Sequence, residues 1–423
     1  MIFTGLIGLL VFLYWRTVSV SEGSLGVWPF FVTSLVFSIA TFVVWYHSYK
    51  SERDVSLLVV ILYAVAFRAL GVGAFPILED DIYRFLWDGR QTVEIGSPYS
   101  EPPSRYFEDE TLSERWRDIV GGINHPDVAT VYGPVAQYSF AFSYLIDSGA
   151  VWPLQLLVSL FDLLLIVLLA KITTTRNLLL YAWSPLIMKE FAFTAHPDVI
   201  GAFFLVLGVV LLRSNRAWVA GCSFAAALGI KIIAIVAIPL LIRFNWRAWI
   251  AMLGTMVILA LPFGLANAWL PEGLKQMSQA WAFNAPIHLL FIESEYYTVI
   301  KAALTLALAV SLLMLFYREI RSQEGPVSDK TIDRAILAFA LLFLCSPVVN
   351  AWYLVWLLVL GAIRPRSWIW VASVTVLLAY FSGINLPGTT LALYQQPVWL
   401  VCVEFGLVIV AYLITNPTLR QST

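Results

Sequence analysis

The chain has 423 residues, of which 60% are hydrophobic and only 13% charged, with a formal net charge of −1. Soluble domains carry about 25% charged residues, so this chain has roughly half the usual supply for a wetted surface. The balanced charge also argues against a nucleic-acid partner, which calls for a basic face.

The apolar residues run in long stretches. In hydrocarbon every backbone N–H and C=O must be satisfied internally, so these runs predict helices. In chain order the predicted spans are 2–20, 27–46, 55–74, 151–170, 177–194, 198–212, 217–231, 232–243, 247–264, 298–317, 334–347, 349–363, 367–384 and 398–415. Residues 2–15 do not read as a cleavable signal, because no basic region precedes them and another span follows. A span needs about 20 apolar residues, and several of these are shorter. The fold class is an all-α polytopic membrane protein, a bundle of about 12–14 transmembrane helices with a large outer loop carrying amphipathic helices.

The loops supply the orientation. Lys50 and Arg53, Lys171 and Arg176, Arg213 and Arg216, Arg243 and Arg247 fall between successive pairs of spans, followed by Arg318, Arg321, Lys330 and Arg334, then Arg364 and Arg366. Cytoplasmic loops concentrate Lys and Arg. With the N-terminus inside, every cluster falls in the cytoplasm, provided that 131–147 does not cross. That stretch is apolar but short, and is predicted to lie re-entrant or along the surface. An outer loop, 75–150, and a second, 265–297, result. No repeat or low-complexity linker divides residues 1–423, so they read as one membrane domain. Cys222, Cys345 and Cys402 lie far apart in apolar runs without metal-ligand spacing and read as packing residues.

Scarce charge makes each polar cluster informative. Glu79-Asp80-Asp81 follows the third span, and from Asp80 a helix would put Asp81, Arg84 and Asp88 on one face. Acids favour helix N-termini as caps, but three in succession with Asp88 behind them exceed what a cap needs. Adjacent carboxylates also suit general-base work, one taking a proton while its neighbour orients the substrate or holds a metal. No metal site is assigned. Further along the loop, 104–120 is predicted to lie along the headgroups. His125, within Asn124-His125-Pro126-Asp127, is a candidate ligand or proton carrier, although a lone loop histidine is usually neither. Lys189-Glu190 and His196-Pro197-Asp198 sit in apolar surroundings, where ionisable groups need partners or a wet cavity. Lys231 has no counter-ion close in sequence; an anionic headgroup such as a phosphate satisfies it, as does snorkelling to the interface. Asn284 and His288 lie in the polar, aromatic second loop, and Asn350 to Tyr353 in a tight outer turn.

Taken in order, these residues resemble the C-type (GT-C) membrane glycosyltransferases, and within them the bacterial mannosyltransferase-like branch that uses polyprenyl-phosphate sugars. The resemblance covers about 55 to 415 and leaves the two spans before residue 50 without a role. Its most specific element is Asp80-Asp81-Ile82-Tyr83-Arg84-Phe85-Leu86-Trp87-Asp88-Gly89 with Gly96-Ser97-Pro98-Tyr99. Tyr132-Gly133-Pro134 is similar to the family's Tyr-Pro-Pro turn with one Pro replaced, and His196-Pro197-Asp198 to its His-x-Asp element. The resemblance implies that Asp81 is the catalytic base and Asp80 its assistant. Arg84, Asp88, His125, His196, Asp198, Lys231, Asn284, His288, Asn350 and Tyr353 would bind substrate, with the donor phosphate near Lys231 or Arg84. It implies an inverting transfer, mannose favoured, from a polyprenyl-phosphate sugar to a lipid, glycan or protein acceptor at the outer face of a bacterial inner membrane. No cofactor is required beyond the donor, and a divalent metal is left open. The rival reading is a transporter or lipid-linked sugar flippase, which usually shows broken helices in repeated halves; a lipid-linked polymerase or ligase would share the topology.

Overall fold

The computed structural model describes residues 1–22, 25–265, 282–325 and 327–415, and among them the chain is helical with no strand. Among the described residues six helices are long and apolar enough to cross a bilayer: Ile2–Ser21, Val27–Ser51, Trp152–Leu169, Trp246–Gly264, Tyr297–Ile320 and Val398–Thr415. The protein is therefore an all-α polytopic membrane protein. The remaining predicted spans are shorter or broken. Residues 232–243 form a 3₁₀ turn, Ile232–Val236, and a five-residue helix, Ile238–Ile242, entered through Pro239. Residues 177–194 divide at Trp183–Ser184 into α8 (Thr175–Ala182) and α9 (Pro185–Ile187), and the latter runs into a π-helical turn, Met188–Phe193. After it the chain bends by 113° into α10 (Asp198–Arg213). Pro185 and Pro197 mark the breaks, because proline offers no N–H to continue a helix.

The helices run between two chemically different ends. At one, the basic loops meet: Arg213 lies 3.6 Å from Asp329, Arg243 is 3.4 Å from Glu319, and Arg334 also binds Glu319. Arg364 and Arg366 hold Asp333 at 3.2 and 2.8 Å. The partly exposed pairs of Asp329 and Asp333 are worth about 0–1 kcal/mol each, whereas Glu319 is buried between Arg243 and Arg334; both kinds mark where the basic loops meet. From this end α10 leads back to Asp198, and α11 (Ala217–Ile230) leads out to Lys231. Further on, α16 (Asp329–Cys345) and α18 (Ser367–Thr375) also start there. The other end collects Asp198, Lys231, Asn350 and Tyr380.

The loop after α3 (Leu57–Gly71) packs at this second end. It contains α4 (Asp81–Glu94), α5 (Glu114–Gly121) and α6 (Pro134–Ile146). The stretch 104–120 packs one side over α4, with Trp116 and Trp87 flanking the Arg90 guanidinium at 5.4 and 5.3 Å. At 13 residues, α6 is about 20 Å long, short of the roughly 30 Å hydrocarbon core. It starts beside Ile230, whose carbonyl accepts from Gly133 N at 3.4 Å. It leads into α7 (Trp152–Leu169), where Gln155 in the first turns binds Gly73, Ala74 and Phe193. Both ends of α6 thus lie at the same end of the bundle. A Cβ at Gly133 would stand 2.4 Å from the Gly229 carbonyl oxygen, which accounts for glycine in this turn.

Two further contacts fix the frame. Arg68 on α3 is buried against Asp162 on α7 at 2.8 Å, donates to the Ala182 carbonyl at 2.6 Å, and shares Asp162 with the Tyr181 hydroxyl. The first two helices, α1 (Ile2–Glu22) and α2 (Val27–Ser51), join this core edge-to-face through Phe12, Phe37 and Phe67. Arg16 closes the end of α3 by donating to the Leu70 and Val72 carbonyls at 2.8 and 2.7 Å.

Asp162→Ala strands a buried guanidinium and should cost about 3–5 kcal/mol, read as loss of thermal stability in detergent. Cysteines placed at Ser104 and Ser322, in a background lacking the native thiols, should react with an impermeant thiol reagent from opposite sides of the membrane. Labelling of both from one side sinks the two-ended arrangement.

Candidate active site

Asp80 occupies the N-cap position of α4, yet neither it nor Asp81 caps the helix through its side chain. Both carboxylates turn inward. Asn124 donates one amide to Asp80 at 2.7 Å and to Asp81 at 2.8 Å, which holds the pair together. Tyr394 donates to Asp80 at 2.7 Å, and Tyr132 to Asp81 at 3.2 Å. Asp81 also faces His196 Nε2 at 3.6 Å.

Behind Asp81 stands a fully buried set of charges supplied by the broken span. His196 Nδ1 lies 3.0 Å from Glu190, Glu190 is 3.3 Å from Lys189 Nζ, and Lys189 returns to Glu79 at 3.9 Å. Tyr380 bonds to both Lys189 and Glu190. The His196 ring stacks on Trp352 with centroids 3.9 Å apart. The backbone here is unusual: the π-turn precedes Ala195, whose φ of 61° is left-handed for a residue with a Cβ. π-Turns and such strain recur at functional sites.

Across the cavity, Lys231 binds Asp198 at 3.1 Å while its ammonium lies 4.1 Å from the Tyr353 ring and 5.7 Å from that of Tyr132. Asp198 is held in turn by Trp356 Nε1 at 3.0 Å. The cavity measures about 110 Å³, with Glu79, Asp81, Lys231, Asn350, Trp352 and Tyr380 on its wall.

Electrostatics separates the three acids. Burial and the charge of Asp81 push Glu79 up to about 8, with Lys189 pulling against them. Burial and Asp81 also raise Asp80. Burial alone would raise Asp81, but the nearby His196 imidazole, with the Asn124 hydrogen bond and the charge of Lys231, brings it down to about 2. Asp81 is the carboxylate held ionised. Glu79, Asp80 and Asp81 each offer an oxygen within 4.8 Å of the others, the spacing a divalent cation needs.

The sequence model of the family described as alpha-(1->6)-mannopyranosyltransferase, N-terminal domain, matches residues 12–248. The chain belongs to this mannosyltransferase family. No curated protein and no solved structure matches it. The match begins within α1 and takes in α2. It contains every site residue up to Lys231; Asn350, Trp352, Tyr380 and Tyr394 come from the part of the transferase beyond it.

Of the residues expected to bind substrate, Lys231, Asn350, Tyr353 and His125 line the cavity, with His125 stacked on Tyr394. His196 and Asp198 stand directly behind its wall. Arg84 reaches the cavity, but its guanidinium donates to the Val128, Asn124 and His125 carbonyls and so clamps that loop. Asp88 lies deeper, holding Gln137 at 3.0 Å. Asn284 and His288 are elsewhere: Asn284 binds Glu404 at 3.0 Å, and His288 bridges Tyr297 and the Cys345 carbonyl. Trp281, in the same run, lies outside the described residues. Glu79, Asn124, Lys189, Glu190, Trp352, Tyr380 and Tyr394 are the members that sequence reasoning did not assign. Lys189-Glu190 carried a signal, as a charged pair inside an apolar run; Tyr380 and Tyr394 carried none.

Burial raises the Asp88 carboxyl to about 6 against the pull of Arg84, Thr130 and Gln137. The folded protein therefore holds this proton more tightly than the unfolded chain. Stability contributed by the protonated form is complete below about 4 and is lost as pH rises to about 6. Asp88→Asn should raise the melting temperature at pH 7.5, by an energy on the order of 3 kcal/mol, and the gain should vanish near pH 4. An equal gain at both pH values would place the cause elsewhere.

Proposed function

We propose that the protein transfers a mannosyl residue from a polyprenyl-phosphate donor to an acceptor hydroxyl, with Asp81 as the base. The observation that carries this reading is Asp81 itself: an ionised carboxylate on a cavity wall, oriented by Asn124, Tyr132 and His196, opposite the ammonium of Lys231. The acceptor oxygen attacks the anomeric carbon, its proton passes to Asp81, and the bond from that carbon to the phosphate oxygen breaks. Lys231 stabilises the charge that develops on the departing phosphate. Arg84 is committed to backbone carbonyls, so Lys231 is the cation for this role. One displacement inverts the anomeric centre and needs no covalent intermediate. Tyr132, Trp352 and Tyr353 offer flat apolar faces beside polar groups, suited to a sugar ring.

The basic loops gather at the end opposite the cavity. By the excess of Lys and Arg in cytoplasmic loops, the cavity then opens at the outer face of a bacterial inner membrane, and 75–150 is the outer catalytic loop. The donor chain lies among the helices and the acceptor, a lipid, glycan or protein, enters from outside. A transporter is less well supported, because one bent helix pair occurs among the described residues and no second one mirrors it.

General-base assistance typically contributes about 10²–10⁴-fold. Asp81→Asn should lose at least about 10²-fold in single-turnover transfer while still binding the donor. Asp80→Asn should lose less, and Asp198→Asn, which loosens Lys231, should fall between them. A dead Asp80→Asn beside a nearly normal Asp81→Asn reverses the assignment within the pair. Full activity in both removes the catalytic reading.

A further inference from the structure

A second cavity, of about 240 Å³, lies between α16, α17 (Val355–Ile363), α18 and α19 (Val398–Thr415). Its rim is formed by Leu337, Leu344, Ile409 and Tyr412, all exposed on the apolar flank of the bundle. It therefore opens sideways, toward lipid. Its wall is otherwise apolar but includes Glu404, which is 4% exposed. Asn284 donates to Glu404 Oε1, yet among the described residues Glu404 Oε2 has no hydrogen-bond partner, and neither has Asn284 Oδ1. No cation pairs with Glu404 among the described residues.

An unmet polar atom facing hydrocarbon is costly, because the lipid chains offer it no hydrogen bond. In hydrocarbon an unpaired carboxyl is neutral, so Glu404 brings both a donor and an acceptor, and a hydroxyl, which accepts and donates at once, is the simplest group that meets it. The volume limits the rest of it. An apolar cavity of about 150 Å³ holds benzene, so this one holds about ten carbon atoms by proportion. One chain fits, and the remainder would pass over the rim into the bilayer.

We propose that this cavity is a separate ligand site, entered from the bilayer, for a single-chain lipid alcohol whose hydroxyl meets Glu404. The site does not depend on the transfer reaction. It does adjoin the first cavity: Val349 lines one and Asn350 the other, and Phe283, which precedes Asn284, lines the first and pairs with Val348.

The test is photolabelling of the full chain in lipid nanodiscs with hexadecanol carrying a diazirine on its chain, beside the matching hexadecane probe. The alcohol should label peptides of α16 and α19 about tenfold more strongly than the alkane, as a single hydrogen bond allows. Glu404→Leu should reduce alcohol labelling to the alkane level, and Ala372→Trp, which fills the cavity from its wall, should abolish both. Equal labelling by alcohol and alkane, or undiminished labelling in Glu404→Leu, overturns the proposal. Should Glu404→Leu not fold, the alcohol-to-alkane ratio in the native chain and its loss in Ala372→Trp decide. Because binding is read directly, an inactive transferase leaves the outcome unaffected.

Discussion

A buried charge in a bundle this apolar has to find a partner, and the site is built from that requirement. Asp81, His196, Glu190 and Lys189 alternate in sign and close on Glu79, so that both ends of the chain lie in the acidic run at the start of α4. Asp81, His196, Glu190 and Lys189 each stand within 3.6 Å of a group of opposite sign, and removing one leaves another stranded. Such a set is rigid before substrate arrives. Rigid dipoles and charges stabilise a transition state without reorganising, which is where much catalytic advantage comes from.

The helix breaks serve this arrangement. A continuous helix through 177–212 would spread Lys189, Glu190, His196 and Asp198 around a cylinder, some of them toward lipid. The π-turn, the left-handed Ala195 and the 113° bend fold them against the acidic run. Close backbone approach does the rest on the opposite wall. The contact of Gly133 with Gly229 sets Tyr132, one residue away, over Lys231, two residues beyond Gly229. A side chain at either glycine would part the cation from its aromatic shelf.

Much of this was legible in the chain. Asp80, Asp81, His196, Asp198 and Lys231 stood out because an ionisable group in an apolar sequence is costly unless it has a purpose. The same logic failed for Asn284 and His288. Polar and aromatic residues in a loop also arise where a loop packs against helix ends, and sequence cannot tell which wall a loop faces. Arg84 and Asp88 share the Asp81 face of α4, but the Arg84 guanidinium, although it reaches the cavity, is spent on backbone carbonyls, and Asp88 one turn further on meets Gln137.

Composition and the placement of charge determined that this is a helical membrane protein, and the spacing of basic loops determined that its helices join two different ends. Those properties are additive over residues, so no partner need be known to read them. The tertiary structure alone decided which short apolar runs are broken, that Asn124 joins Asp80 to Asp81, and that Tyr380 and Tyr394 reach the site from far along the chain. It also decided the order of the three acids. Charge, burial and hydrogen bonding at Asp81 are set by His196 and Lys231, whose distance from it is a property of packing and not of sequence separation.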